Sequence, residues 1–192
     1  MNTPEAEIAA LPHWARVAFA AHCARRSMEM FDKAWPDAAS EHRDALLQTV
    51  QAAEQSAKNG KPVDDIGGSV MRAVIVAGAA LASTYGLESP GEAPPNQAEV
   101  ASFSAKVAEW SATAARDGAA ASTYATMEAL VFCLDAARLA GSFEIVADLR
   151  RKLPQLQALA SKEKWTDESP IPLAILSTMA NDKPRKPWWK LW

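Results

Sequence analysis

Cysteine and strand-favouring patterns are both scarce in this sequence. The two cysteines, Cys23 and Cys133, are too few for a disulfide framework, and each lies within an apolar helical pattern. We therefore expect two reduced thiols, as in a cytoplasmic protein. Alternation of apolar and polar residues does not persist beyond a few positions, so almost no β-sheet is expected.

Long apolar runs are also missing. The longest weakly charged stretch, residues 66–87, contains Arg72 and four glycines, which is typical of a buried helix rather than a bilayer span. Residues 1–10 carry two glutamates and no cationic flank or apolar run, so we expect no secretory signal. We predict a protein without a transmembrane segment.

Alanine is heavily used, and alanine is the strongest helix former because it loses no side-chain entropy on folding. Apolar residues recur at spacings of three and four along most of the chain, which is the pattern of amphipathic helices. The sequence predicts an all-α, single-domain bundle of about six helices over residues 1–180, followed by an irregular tail over residues 181–192. The six predicted helices cover about residues 12–31, 39–59, 64–83, 96–116, 120–140 and 142–160.

Four of these helices carry specific expectations. In the first, His22 and Arg26 belong to a polar arc that we expect to face solvent. The third is apolar nearly all round and is the predicted centre of the bundle. In the fifth, Tyr124 and Val131 lie on the predicted inward face. Pro154 lies within the sixth, where we expect a kink or a break, and a proline-rich loop is expected at residues 84–95.

We find no residue pattern for catalysis, metal binding or cofactor binding. His13 and His22 are nine residues apart and lie on opposite sides of one helix, and no Glu-x-x-His pair is present. His22 next to Cys23 could suggest a base and its thiol nucleophile, but adjacent helical side chains diverge by about 100°. A solvated histidine and a packed cysteine are therefore the favoured interpretation.

The formal net charge is −3, but the chain is not evenly charged. Residues 183–192 hold four basic residues and no acid, which leaves −7 on residues 1–182. An acidic body argues against nucleic acid as a partner, since phosphate binding needs a basic face. The one basic cluster in the body, Arg150 to Lys152 with Arg138 nearby, could instead contact a phosphate or an acidic partner.

The tail is the segment that we single out as a candidate partner-binding site. It combines cations and large aromatic rings, which dominate protein interfaces. Its candidate contact residues are Arg185, Lys186, Trp188, Trp189, Lys190 and Trp192. The rings could pack against the chain's own acidic body, bind a protein partner, or rest on an anionic membrane surface, where one short segment anchors weakly.

Two segments resemble parts of known bacterial proteins. The first spans about residues 11–60 and includes Leu11-Pro12-His13-Trp14-Ala15-Arg16, Cys23-Ala24-Arg25-Arg26 and Trp35-Pro36-Asp37. It resembles small all-α immunity proteins of polymorphic toxin systems. The second, Lys164-Trp165-Thr166-Asp167-Glu168-Ser169-Pro170-Ile171-Pro172, is similar to uncharacterised bacterial proteins with such hairpins. The resemblance implies a protein that binds and blocks a partner toxin, and it assigns no site residue.

The sequence therefore favours a non-enzymatic protein-interaction module, with a toxin-neutralising immunity protein as its more specific form. The alternative is a helical small-molecule-binding protein or enzyme with a pocket between the third and fifth predicted helices. A third hypothesis is a peripheral membrane protein that binds through the tail.

Overall fold

The protein is an all-α bundle of seven helices in the part of the chain that the structure, a computed structural model, describes: residues 3–83, 95–172 and 174–175. The helices are α1 (Pro4–Ala9), α2 (His13–Ala34), α3 (Ser40–Asn59), α4 (Ile66–Ala82), α5 (Pro95–Arg116), α6 (Gly118–Leu139) and α7 (Phe143–Lys162). The predicted fold class is confirmed. Helices α2 to α7 correspond to the six predicted helices, whereas the short α1, capped by Thr3, was not predicted.

The predicted helix ends are confirmed where a glycine lies two residues after a basic residue. Gly60 ends α3 with a φ of 64°, and Gly118, two residues after the end of α5, has a φ of 76°. Both values lie in the left-handed region, which glycine adopts without a steric penalty. The predicted break at Pro154 is wrong, because α7 runs through it from Phe143 to Lys162.

Helices α2 and α5 form the centre of the bundle. Sixteen of the 22 residues of α2 are buried, including Phe19 and Phe31, and α5 packs against α2, α3, α4 and α6. Helix α4 buries only seven of its 17 residues. The prediction that this third predicted helix is the core is therefore wrong. Its sequence is apolar on both sides, but only one side is covered by α3 and α5.

The predicted inward face of α6 is wrong at two of its four residues, Tyr124 and Val131, whereas Met127 and Leu134 are half-buried against the core. Tyr124 is 63% exposed and Val131 41% exposed. The buried residues are mostly small, among them Ala125, Ala129 and Cys133. Small side chains allow α6 to approach α2 and α5 closely, and this packing outweighs the larger area that the aromatic face would bury.

Residues 163–172 follow α7 back across the bundle. Ile171 is fully buried, and its backbone N–H donates to Ala57 O at 2.9 Å. Pro170 contacts the turn at Gly60. In the described part of the chain, no helix is long and apolar enough to cross a membrane. The predicted loop at 84–95 lies outside the described residues except for Pro95, which begins α5, and the predicted tail at 181–192 lies outside them entirely.

Candidate functional site

The polar arc of α2 faces solvent only in part: His22 is buried and Arg26 is half-buried, against the expectation, whereas Glu29 is exposed as expected. His22 is 4% exposed, and its Nε2 lies 3.0 Å from Oδ2 of Asp148 on α7. The same carboxylate forms an ion pair with Nε of Arg26 at 3.4 Å and accepts a hydrogen bond from Nη2 of Arg151 at 2.8 Å. We call these four residues the Asp148 cluster. His22 and Asp148 are 126 residues apart in sequence, so the periodicity within one helix could not reveal their contact.

The Asp148 cluster holds its carboxylate in the charged form. Burial alone would raise the pKa of Asp148, but the hydrogen bonds from His22 and Arg151 and the charge of Arg26 lower it to about 2. A histidine that is hydrogen-bonded to a carboxylate could act as a general base. Here both side chains are enclosed, at 2% and 8% exposed, and the contact between them joins α2 to α7.

Cys23 lies beside the cluster but is not an activated thiol. Burial, together with the neighbouring Cys133, raises its pKa well above the ordinary value. Both cysteines are fully buried free thiols, and Cys133 Sγ donates to Cys23 O at 3.5 Å. The predicted packed cysteine is confirmed. The predicted solvated histidine beside it is wrong, because Asp148 satisfies His22 inside the protein.

A second polar cluster fixes the start of α2. Asp167, from the segment after α7, accepts a hydrogen bond from the backbone N–H of His13 at 2.6 Å and pairs with Arg16 Nη2 at 3.3 Å. A carboxylate at this position caps the positive end of the helix. Arg16 also donates to the Thr123 hydroxyl on α6. We call these residues, with Ser122, the Asp167 cluster.

His13 is the titratable group of the Asp167 cluster. Its Nδ1 lies 3.0 Å from Ser122 Oγ, which donates its own hydrogen to Ala119 O. The hydroxyl can therefore only accept from His13, and Nδ1 carries the proton in the neutral ring. Burial and the charge of Arg16 lower the pKa of His13, against an opposing effect of Asp167.

The lowered pKa of His13 predicts a loss of stability in mild acid. Because the pKa of His13 lies below its ordinary value of 6.5 in the folded protein, the unfolded chain takes up a proton first as the pH falls. We expect the free energy of unfolding to decrease from pH 7.5 to pH 5.5 and to decrease less in a His13→Gln variant. Urea unfolding at both pH values measures the difference. Equal losses in the two proteins would contradict the assignment.

The predicted basic cluster does not form a single patch. Arg151 is engaged by Asp148, and Arg138 pairs with Asp135 at 3.1 Å on its own helix. Lys152 is 4% exposed, whereas the three arginines are exposed. No group of three or more potential metal-ligating side chains occurs among the described residues.

The most exposed apolar surface on one helix belongs to α4. Met71 is 60%, Ile75 59% and Val74 41% exposed. These side chains share a helical face with three small residues, and we call the set the α4 face. The α4 face consists of Gly67, Met71, Val74, Ile75, Gly78 and Ala82.

The two glycines of the α4 face have no role inside the described fold. A Cβ atom added at Gly67 or Gly78 would meet no atom within 4 Å, and neither residue has a positive φ. Glycine costs a helix up to about 1 kcal/mol relative to alanine. What the glycines provide is an exposed backbone that another surface can approach closely.

The chain was compared with models of protein families, with curated protein sequences and with solved structures. None of the three comparisons gave a match. The two segments that carry the resemblance to immunity proteins do contact each other in the fold. Asp167 binds His13 and Arg16, and Ile171 binds Ala57.

Two sequence predictions about the site stay predictions. The six candidate residues of the tail, Arg185, Lys186, Trp188, Trp189, Lys190 and Trp192, lie outside the described residues. The alternative pocket was predicted between the third and fifth helices, which are α4 and α6, and α5 packs between them. The α4 face was missed because its apolar residues were interpreted as core. Its glycines and its lack of charge were the signals available.

Proposed function

We propose that this chain is a non-enzymatic protein-interaction module and that the α4 face is its contact surface. The observation that supports the proposal is the exposure of Met71, Val74 and Ile75 on a helix that contains no acidic residue. Contiguous apolar surface rimmed by polar residues is the usual mark of a protein contact. In contrast, the buried polar groups of α2 are already bound to Asp148 and Asp167.

We further propose that the partner is a toxin that the chain neutralises. The resemblance of residues 11–60 and 164–172 to immunity proteins supports this specific form. An acidic body suits a basic partner, since charge complementarity steers association. The two free, buried thiols are those of a protein that works in the cytoplasm. Co-expression with the toxin should suppress its toxicity.

The tail supplies a second contact in this proposal. Arg185, Lys186, Trp188, Trp189, Lys190 and Trp192 would give the cationic and aromatic anchors of an interface. An anionic membrane surface is the weaker alternative for these residues. Flotation of liposomes with the full chain and with a version that ends at Asp182 separates the two.

Affinity capture from native lysate tests the α4 face. We expect Met71→Asp and Ile75→Asp each to lower the amount of associated protein at least about tenfold, because each buries a charge in an apolar contact. Native mass measurement gives the stoichiometry. The matched control is Phe143→Asp, since Phe143 is also exposed, at 69%, but lies on α7.

Three outcomes are informative. If α4 variants and the Phe143→Asp control lose binding equally, the α4 face is not the contact. If no protein associates with the wild type at any stoichiometry, the interaction proposal fails. Excess mass from a co-purifying small molecule would support the ligand-binding alternative instead.

A further inference from the structure

Helices α2 and α6 run side by side in one fixed register. The Thr126 hydroxyl on α6 donates to Arg16 O of α2 at 3.4 Å. Further along both helices, Cys133 Sγ donates to Cys23 O at 3.5 Å. Each contact joins residues that are 110 positions apart, so the two helices are parallel and position 133 lies opposite position 23. The two cysteines of the chain therefore face each other across this helix–helix contact.

Small residues let α2 and α6 approach closely at the two cysteines. Helices that pack through small side chains have axes about 8 Å apart, with each Cα about 2.3 Å from its own axis. Facing Cα atoms are then about 4–6 Å apart, and a disulfide requires about 4.4–6.8 Å. Alanines without exposed surface lie within four positions of each cysteine: Ala20, Ala21 and Ala24 on α2, and Ala129, Ala136 and Ala137 on α6.

The two thiols also interact with each other. Burial is the main cause that raises the pKa of the Cys23 thiol, and the side-chain hydrogen bond and the charge of Cys133 raise it further. A hydrogen bond between the side chains requires the two sulfur atoms to be neighbours. The sulfur atoms as well as the backbones are therefore placed for a bond between them.

We propose that Cys23 and Cys133 are a redox-sensitive pair, which a hydroperoxide converts into a disulfide that locks α2 to α6. One thiol first takes an oxygen atom from hydrogen peroxide, so that the O–O bond breaks, water leaves and a sulfenic acid forms. The second thiol then attacks that sulfur, the S–S bond forms, the S–O bond breaks and a second water leaves. In total, the two cysteines lose two electrons and two protons, and one hydrogen peroxide is reduced to two water molecules.

The closed fold keeps this oxidation slow. Both cysteines are fully buried, and the thiolate is the reactive form, so the raised pKa of Cys23 disfavours the first step. The charge of Asp148 on the neighbouring α7 adds to that effect. Oxidation therefore requires a local opening that admits the oxidant. The pair responds to prolonged exposure to an oxidant and not to a brief one.

The disulfide should make the bundle harder to unfold. It would close a loop of about 110 residues, and a long closed loop restricts the unfolded chain strongly. Helix α2 lies at the centre of the bundle, so fixing α6 to it holds two helices of the core together. We expect the urea midpoint of the oxidised chain to be at least about 1 M higher than that of the reduced chain.

Prolonged treatment of the folded, full-length chain with hydrogen peroxide tests the pair. After treatment, the denatured chain should show no free thiol instead of two, and it should still have the mass of one chain. A thiol reductant should then raise the mass by about 2 Da and return the urea midpoint to its original value. The single variants Cys23→Ala and Cys133→Ala should show neither the gain in mass on reduction nor the higher urea midpoint.

A cysteine moved by one helical turn provides the matched control. The double variant Cys133→Ala with Ala137→Cys keeps two buried thiols on the same faces of α2 and α6. Position 137 lies about 6 Å further along α6, which takes its Cα beyond the roughly 7 Å that a disulfide can span. We expect this variant to form the disulfide at least about tenfold more slowly. Its urea midpoint before oxidation checks that the bundle is intact.

Three results would overturn the redox pair. The first is a treated chain that keeps both thiols free, or whose cysteines are oxidised separately and gain no mass on reduction. The second is a disulfide that lowers the urea midpoint, because the bridge would then distort the packing of α2 on α6. The third is an equal rate of disulfide formation with the cysteine at 133 and at 137, because the bridge would then form in an opened chain and not across the packed helices.

Discussion

The Asp148→Asn variant should lose about 3–5 kcal/mol of its free energy of unfolding. The carboxylate is 8% exposed and is shared by His22, Arg26 and Arg151. Asparagine keeps the shape but removes the charge, so the partly buried Arg26 guanidinium loses the buried one of its two carboxylate partners and keeps only Glu29, at 2.9 Å. Urea unfolding at pH 7 measures the loss. An Asp135→Asn variant is the control, because its ion pair with Arg138 is also three residues apart but lies exposed on the surface.

The same carboxylate should set the acid limit of stability. Its pKa is lowered in the folded protein from 3.8 to about 2, so the folded state binds its proton later than the unfolded chain. The stabilisation is complete above about pH 4 and is lost as the pH falls towards about 2. It amounts to about 2 kcal/mol. Asp148→Asn should therefore unfold with a flatter pH profile in this window. If Asp148→Asn and Asp135→Asn lost equal free energies of unfolding, the Asp148 cluster would stabilise the fold no more than an exposed ion pair does.

Local chemistry allowed most helix boundaries to be predicted from the sequence. Asn59-Gly60 and Asp117-Gly118 combine a polar residue with one that adopts positive φ, and such signals act within a few residues. The short α1 was missed because only a threonine cap and two acids indicate it. Pro154 led to the opposite error, because a break was expected there. The buried side chains of Leu153 and Leu156 keep α7 continuous around it.

Which side of each helix is buried could not be predicted, because it depends on distant partners. His22 is buried and Arg26 is half-buried because α7 brings Asp148 to them, whereas the periodicity of α2 alone places both on its polar side. Helix α4 was misjudged in the opposite direction, because Arg72 is its one charged residue and a helix that is apolar on nearly every side is typical of a core. The α4 face could be found only after the core was known.

The Phe19→Ala variant should lose about 3–5 kcal/mol of its free energy of unfolding, because it leaves a cavity in the centre of the bundle. Phe19 is fully buried on α2, where most neighbours are alanines that cannot move far enough to fill the space. The matched substitution on α4, Ile75→Ala, should change the stability by less than about 0.5 kcal/mol at low protein concentration. Urea unfolding at a few micromolar keeps association out of the comparison.

The pair of substitutions decides which helix is the core. If α4 were central, as its apolar sequence indicates, Ile75→Ala would cost about 2–5 kcal/mol, the usual range for a buried isoleucine. Ile75 is 59% exposed, whereas Phe19 has no exposed surface. A large loss for Phe19→Ala with none for Ile75→Ala would leave the apolar side chains of α4 without a role in folding the monomer. Their remaining role is to bind a surface outside it, and Ile75→Ala should weaken that association.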